Sequence, residues 1–210
     1  MSVNRVSRLF QACRLHTASP QAIAALSQAN NASNFAYFQP VLDALGEVTP
    51  EDVGGANLER LMHPGKISVT TIYNSEQLWL GLFGLSKGTG FPIHDHPSMN
   101  GFVKLLTGKL RLRSLNEVSR QASSISVKLV AEKEADGPAV LAVGPERNNF
   151  HDIWAVTPCL IFQVFIPNYN RQRLCTFYKV AKQEGSLCHL HSEPATLESV
   201  DLPYQGLPAQ

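Results

Sequence analysis

From Lys66 onward the chain changes its period, and that change limits the folds open to it. Segments of about five to nine residues, rich in β-branched and apolar side chains, follow one another with Gly, Pro and Asn between them. The expected strands are Ile67 to Tyr73, Gln77 to Leu85, Phe102 to Leu106, Lys109 to Leu115, Ile125 to Ala131, Ala139 to Val143, Phe150 to Ala155, Cys159 to Phe165 and Thr176 to Val180. Thr107-Gly108 reads as a tight hairpin turn. In the strand after it, Leu110, Leu112 and Ser114 alternate with Arg111, Arg113 and Leu115, which turns Leu110 and Leu112 inward. Many short strands at near-regular spacing mean a sandwich or a small barrel.

The first sixty residues read differently. Ser19-Pro20 is a cap followed by proline before the Ala-rich run Gln21 to Gln28, which the Asn30-Asn31 pair stops. A second helix is expected over Tyr37 to Leu45, with Gly46 as its C-cap, and a short third one begins at Thr49-Pro50-Glu51-Asp52. The expected division is a helical segment at 1–60 packing on a barrel at 61–182, with an irregular tail at 183–210, where Ser, Pro, Glu and Gly accumulate. At 210 residues and 44% hydrophobic content, such a chain can bury a core.

Eighteen Lys and Arg against 17 Asp and Glu leave a net charge of +1, with no basic block, so nucleic acid is not the expected partner. No apolar run is long enough to span a membrane. Cys13, Cys159, Cys175 and Cys188 show no paired spacing, which suits a reducing compartment, the cytoplasm and also the nucleus. Residues 1–42 contain no Asp or Glu but hold Arg5, Arg8 and Arg14. That is the composition of a mitochondrial presequence, the minor alternative. The plainer reading is an amphipathic helix with Val6, Leu9, Phe10 and Cys13 on one side.

The chemistry concentrates in Gly88-Thr89-Gly90-Phe91-Pro92-Ile93-His94-Asp95-His96-Pro97. On an extended strand His94 and His96 leave the same face, and Asp95 leaves the other. Two converging imidazoles are natural metal ligands, and His151, on a later strand, is the best third. A second His-x-His, at His189 and His191, sits in the expected tail and reads as solvated surface.

Gly88, His94-x-His96 and Gly108 together resemble the first motif of the cupins, small β-barrels (the double-stranded β-helix, or jelly roll) that hold metals. The carboxylate ligand usual four or five residues after the second histidine is absent, since Asn100 and Gly101 stand there. The resemblance narrows with Pro92-Ile93-His94-Asp95-His96-Pro97-x-Met99, Lys104-Leu105-Leu106-x-Gly108, Asn149-x-His151-x-Ile153-x-Ala155-Val156, Ile166-Pro167-Asn168-Tyr169 and Arg173-Leu174-Cys175-Thr176-Phe177-Tyr178. These are similar to the cysteamine (2-aminoethanethiol) dioxygenase and plant cysteine oxidase family, its animal members above all. The expected fold is therefore an all-β cupin barrel with N-terminal helices.

The resemblance implies a non-haem Fe(II) enzyme with O2 as co-substrate. Such an enzyme converts the thiol of cysteamine, or of a protein's N-terminal cysteine, to a sulfinic acid, which marks the protein for oxygen-dependent degradation. It implies His94, His96 and His151 as the iron ligands, and three neutral imidazoles leave the site at +2, suited to a thiolate. Tyr169 is expected to face substrate or oxygen, its other reading being a core aromatic. Gln163 stands where the relatives carry an Asp, and it can hydrogen-bond but not titrate. Asp95, Met99, Phe150, Cys175 and Phe177 are the candidates for the pocket wall. Phe177 offers no phenol two positions after Cys175, so no thioether cofactor is expected. A closed barrel with covering helices is expected to be a monomer. The competing reading is a diverged metal-binding cupin, isomerase-like or without catalysis; the missing carboxylate ligand argues against the isomerase-like form.

Overall fold

The computed structural model describes residues 4–17, 33–55, 58–121, 124–145, 148–194 and 197–209. The expected helix Gln21 to Gln28 lies outside them. The helices are α1 (Arg5–Thr17), α2 (Ser33–Tyr37) and α3 (Gln39–Glu47), followed by single 3-10 turns at Glu51–Val53 and Leu58–Leu61. The strands are β1 (Ile67–Asn74), β2 (Trp79–Leu85), β3 (Gly90–His94), β4 (Asn100–Thr107), β5 (Lys109–Arg120), β6 (Ile125–Asp136), β7 (Ala139–Val143), β8 (Phe150–Ala155), β9 (Cys159–Ile166), β10 (Phe177–Glu184), β11 (Leu187–Glu193) and β12 (Ser199–Asp201).

They form two sheets. The first runs β12-β1-β2-β9-β4-β7, antiparallel except that β12 lies parallel to β1. The second runs β10-β11-β6-β5-β8-β3 and closes on itself where Phe177 pairs with His94. Connections that pass between two such sheets make the jelly-roll, double-stranded β-helix barrel of the cupins.

Strand β9 explains the layering. All eight of its residues are buried. Leu160, Phe162, Val164 and Ile166 face the helices, and Cys159 and Ile161 face the barrel interior. A strand covered on both faces reads as an unbroken apolar run rather than an alternating one. Strand β4 divides the same way, with Phe102 and Leu106 toward the helices and Val103 and Leu105 toward the interior.

The N-terminal helix is part of this packing. Val6, Leu9, Phe10 and Cys13 of α1 join the helix-side core, and Arg5 pairs with Asp52 at 3.2 Å. Between Phe102 and Leu106, Lys104 also points to the helix side, where its Nζ donates to the carbonyls of Gly46 (2.5 Å) and Val48 (2.6 Å) at the end of α3. The helix runs to Glu47 with an extended Val48 as its cap, so Gly46 lies inside it and is not the expected stop.

Three further expectations need correction. Thr107-Gly108 is not a hairpin turn: β4 belongs to the first sheet and β5 to the second, so the dipeptide is a corner between sheets. Gly108 turns that corner at φ 89°, and a Cβ there would lie 2.2 Å from the Pro158 carbonyl oxygen. Leu115 is buried: it stays on the Arg111 and Arg113 side of β5, opposite Phe150, and that side meets a second core there. The segment after Lys182 is not irregular. Gly185, at φ 61°, turns β10 into β11, and Cys188 and Leu190 of β11 pack inward while β12 adds an edge to the first sheet. Two buried side chains suffice to hold a strand whose other neighbours already exist.

Candidate metal centre

The site forms where β3 ends. A bulge between Phe91 and His94 lets both side chains face the interior, although three positions on a regular strand would part them. His94 is paired with His151 of β8. The chain stays extended after His94, because the Asp95 amide donates to the Thr176 carbonyl (3.2 Å) and the His96 amide donates to Asn149 Oδ1 (2.8 Å). Asp95 therefore turns away, and its carboxylate accepts from the Tyr178 hydroxyl (2.9 Å) and the Thr176 amide (3.1 Å).

One ring nitrogen from each of His94, His96 and His151 falls within 4.8 Å of the others. All three side chains are buried. Each uses Nδ1 elsewhere: His94 to the Pro92 carbonyl (2.8 Å), His151 to the carbonyls of Asn149 (3.1 Å) and Asn148 (3.2 Å), and His96 to the Tyr169 hydroxyl. Carbonyls only accept, so the network places the proton on Nδ1 of His94 and His151 and leaves Nε2 as a free donor of its lone pair. Anchoring one nitrogen to orient the other is the usual support of a metal-binding imidazole.

Burial keeps the set neutral. His94 is pushed down to about 3 by burial and by its neighbour His151, and His151 to about 4 by burial. His96 is held well below its ordinary range by burial and by the other two imidazoles. Three neutral, oriented, buried imidazoles fit a divalent transition metal.

A pH dependence follows for the metal-free protein. The unfolded chain takes up protons on these rings below about pH 6.5 and the folded chain does not, so stability falls as the pH drops. Going from pH 7 to 5 is expected to cost about 2 kcal/mol for each of His94 and His151. Urea unfolding at the two pH values measures this. The steepness should shrink in a His94→Leu/His151→Leu double variant, and an equal steepness there would refute the assignment.

The imidazoles sit in the wall of a cavity of about 200 Å³. Phe83, Phe91, Ile153, Ile161 and Phe165 supply most of the remaining wall, with Gln163, Tyr169, Cys175 and Phe177. Burial pushes the Tyr169 phenol up, and the Cys175 thiol beside it up to about 12. Both are protonated at neutral pH.

Residues 30–204 match the family model PCO_ADO. This chain belongs to the PCO_ADO family. The matched span contains all three histidines, the whole cavity wall and every strand. A 2-aminoethanethiol dioxygenase from Mus musculus is 28% identical over 193 residues, covering 74% of this chain and 75% of the relative. Plant cysteine oxidase 1 from Arabidopsis thaliana is 26% identical over 157 residues, covering 67% of this chain and 54% of the relative. Among solved structures, a cupin superfamily protein from Desulfitobacterium hafniense overlays with a TM-score of 0.39 at 12% identity, over 51% of this chain and 83% of that one.

The PCO_ADO cavity also sorts the residues proposed for its wall. Cys175 and Phe177 line it, as do Gln163 and Tyr169. Asp95, Met99 and Phe150 do not. Asp95 is held by Tyr178 behind the strand, Met99 is fully buried one turn past His96, and Phe150 packs with Tyr178 and Leu115 in a separate core. His189 and His191 lie on β11, the first half-buried beside Ser126 and the second exposed. Of the phenylalanines in the wall only Phe177 was singled out from sequence; Phe83, Phe91 and Phe165 were not. Part of their signal was there: Ile161, Gln163 and Phe165 alternate on β9 and face one side.

Proposed function

We propose that this PCO_ADO protein is a non-haem Fe(II) thiol dioxygenase that adds both atoms of O2 to the thiol of cysteamine or of an N-terminal cysteine. The observation that carries the reading is a trio of neutral imidazoles in the wall of a small, mainly apolar cavity. His94, His96 and His151 would hold the ion, and iron supplies the one-electron chemistry that lets O2 react with a thiol. The overall conversion, a thiol plus O2 to a sulfinic acid, balances without a reductant.

The chain's own residues have separate tasks. Phe83, Phe91, Phe165 and Phe177 keep water from a reacting sulfur. Tyr169 sets the ring of His96 and offers a protonated hydroxyl to the cavity. Gln163 supplies an amide that orients a polar group without changing charge. Among the described residues no carboxylate or cationic side chain lines the cavity, so a free amine enters without a competing fixed charge. We place the activity in the cytoplasm or nucleus, where unpaired cysteines persist, with the protein acting as a monomer. Oxidation of a protein's N-terminal cysteine there would couple its turnover to oxygen.

Intact mass decides the matter. Iron-loaded protein incubated in air with a Cys-initiated peptide, and separately with cysteamine, is expected to add about 32 mass units to the thiol. A gain on cysteamine alone would confine the activity to small thiols. No gain on either, with iron bound, would favour the diverged metal-binding cupin.

A further inference from the structure

A polypeptide whose N-terminal residue enters the cavity must leave it past a rim, and the chain around Tyr169 to Cys175 forms part of that rim. Tyr169 and Cys175 both line the cavity, so the turn between them lies at its edge. The turn is fixed. Asn170 and Arg173 bridge one another, and Asn170 Oδ1 accepts from the amides of Gln172 and Arg173, each at 2.9 Å. Asn168, just before it, donates through Nδ2 to Asn74 Oδ1 (2.7 Å) and the Ser75 carbonyl (2.8 Å), which ties the turn to the β1–β2 hairpin.

The turn's charge is one-sided. Residues 168–176 hold Arg171 and Arg173 and no Asp or Glu. Among the described residues neither arginine has an ion-pair partner. Arg173 Nε donates to the Asn168 carbonyl at 3.2 Å, and Arg171 is exposed. Glu76 on the neighbouring hairpin is exposed and reaches neither guanidinium, and Asp95 behind Thr176 is buried and already bonded. Leu174 is 63% exposed between Arg173 and the inward-facing Cys175. Two guanidiniums without an ion-pair partner among the described residues and an apolar side chain thus stand beside an apolar cavity with no charged side chain among the described residues of its wall.

We propose that this turn is a docking rim for substrate polypeptides that carry acidic side chains shortly after the N-terminal cysteine. The inference rests on the thiol dioxygenase reading, because it requires the chain to enter cysteine first. The cavity holds the terminal residue and is too small for the chain behind it. The next side chains therefore meet Arg171 and Arg173. Arginine pairs with carboxylates through a planar fork of donors, and Leu174 suits an apolar neighbour between them. Pairs of this kind at a solvated rim act mainly on encounter and selection, and salt weakens them.

Three peptides test it: Cys-Gly-Gly followed by Glu-Glu-Ser, by Lys-Lys-Ser or by Ser-Ser-Ser, each labelled at its C-terminus. Binding is read by fluorescence anisotropy on the iron-loaded full chain under argon, and mass gain is read in air. The acidic peptide is expected to bind about 3- to 10-fold more tightly than the basic one at low salt, with the gap closing at high salt. An Arg171→Glu/Arg173→Glu variant should lose or reverse the preference and keep its turnover of cysteamine. If the double variant fails to fold, Arg171→Glu alone, at a side chain with no hydrogen bond or ion pair among the described residues, should halve the preference or better. Equal binding of the three peptides, no binding of any, or a preference untouched by the substitutions would each overturn the rim. A charge preference without mass gain would instead leave the rim standing and remove the dioxygenase reading.

Discussion

With His94 replaced by alanine, iron(II) affinity is expected to fall by more than about 100-fold, and a Cys-initiated peptide should come through in air unchanged in mass. Changing an outer partner of a metal-binding histidine already costs 10- to 100-fold, and losing the ligand itself costs more. His94 is central to the trio: its ring centroid lies 4.3 Å from that of His151 and 4.9 Å from that of His96. Removing it leaves two imidazoles too few to hold an ion firmly, and frees the Pro92 carbonyl to bond water in the space vacated. The fold should persist, since the loss is one ring at the end of a strand, and far-ultraviolet circular dichroism checks that. Alanine at both His189 and His191 is the matched control and should change neither quantity. Iron binding and turnover that survive His94→Ala, or are lost in the control, would mean that the chemistry belongs elsewhere.

Gly90→Ala should destabilise the protein by about 3 kcal/mol or more, a fall in Tm of about 6–12 °C for a chain of this size. A Cβ on Gly90 would stand 2.0 Å from the Ile153 carbonyl oxygen and 2.8 Å from the Trp154 Cα. Both are backbone, and β8 cannot yield because β5 holds its other edge. The strain therefore falls on β3. Moving β3 away from β8 also separates His94 from His151, so metal affinity should drop although every ligand is intact. Gly46→Ala is the reference substitution. It lies inside α3 with nothing within 4 Å of its Cβ, and it should be neutral or stabilising by up to about 1 kcal/mol. A Gly90→Ala protein as stable as its parent would show that β3 and β8 are not in the close contact described.

The strands were legible because period two survives wherever one face is wet, and where it fails, as in β9, the apolar run itself gives the strand away. His94 and His96 were legible because spacing two on an extended segment has one geometric meaning, and His151 only as a histidine on a later strand, which the fold brings to them. What failed was whatever depends on more than one strand. Thr107-Gly108 has the chemistry of a hairpin turn, and only the partners of β4 and β5 show that it is a corner. The bulge between Phe91 and His94 leaves no mark in composition, so Phe91 was not placed in the wall; Phe150, next to His151 on β8, faces the other way, and the expectation overlooked that alternation. Strand β11 was hidden by its polar residues, because a strand held on both sides by β10 and β6 needs only Cys188 and Leu190 to stay inward.

Lys104 bears on where this chain can be divided. It is a barrel residue by position and a helix residue by contact, since both of its hydrogen bonds end on carbonyls that precede residue 49. A barrel cut free of its helices would turn Lys104 out to water together with the apolar face around it, Phe102, Leu106, Leu160, Phe162 and Val164, and an exposed apolar patch of that size drives aggregation. Helices and barrel share one core, so the barrel is not a module to graft alone. The two are expected to melt as one cooperative body, and any shortened gene, natural or made, has to keep the helices or replace the apolar face they cover.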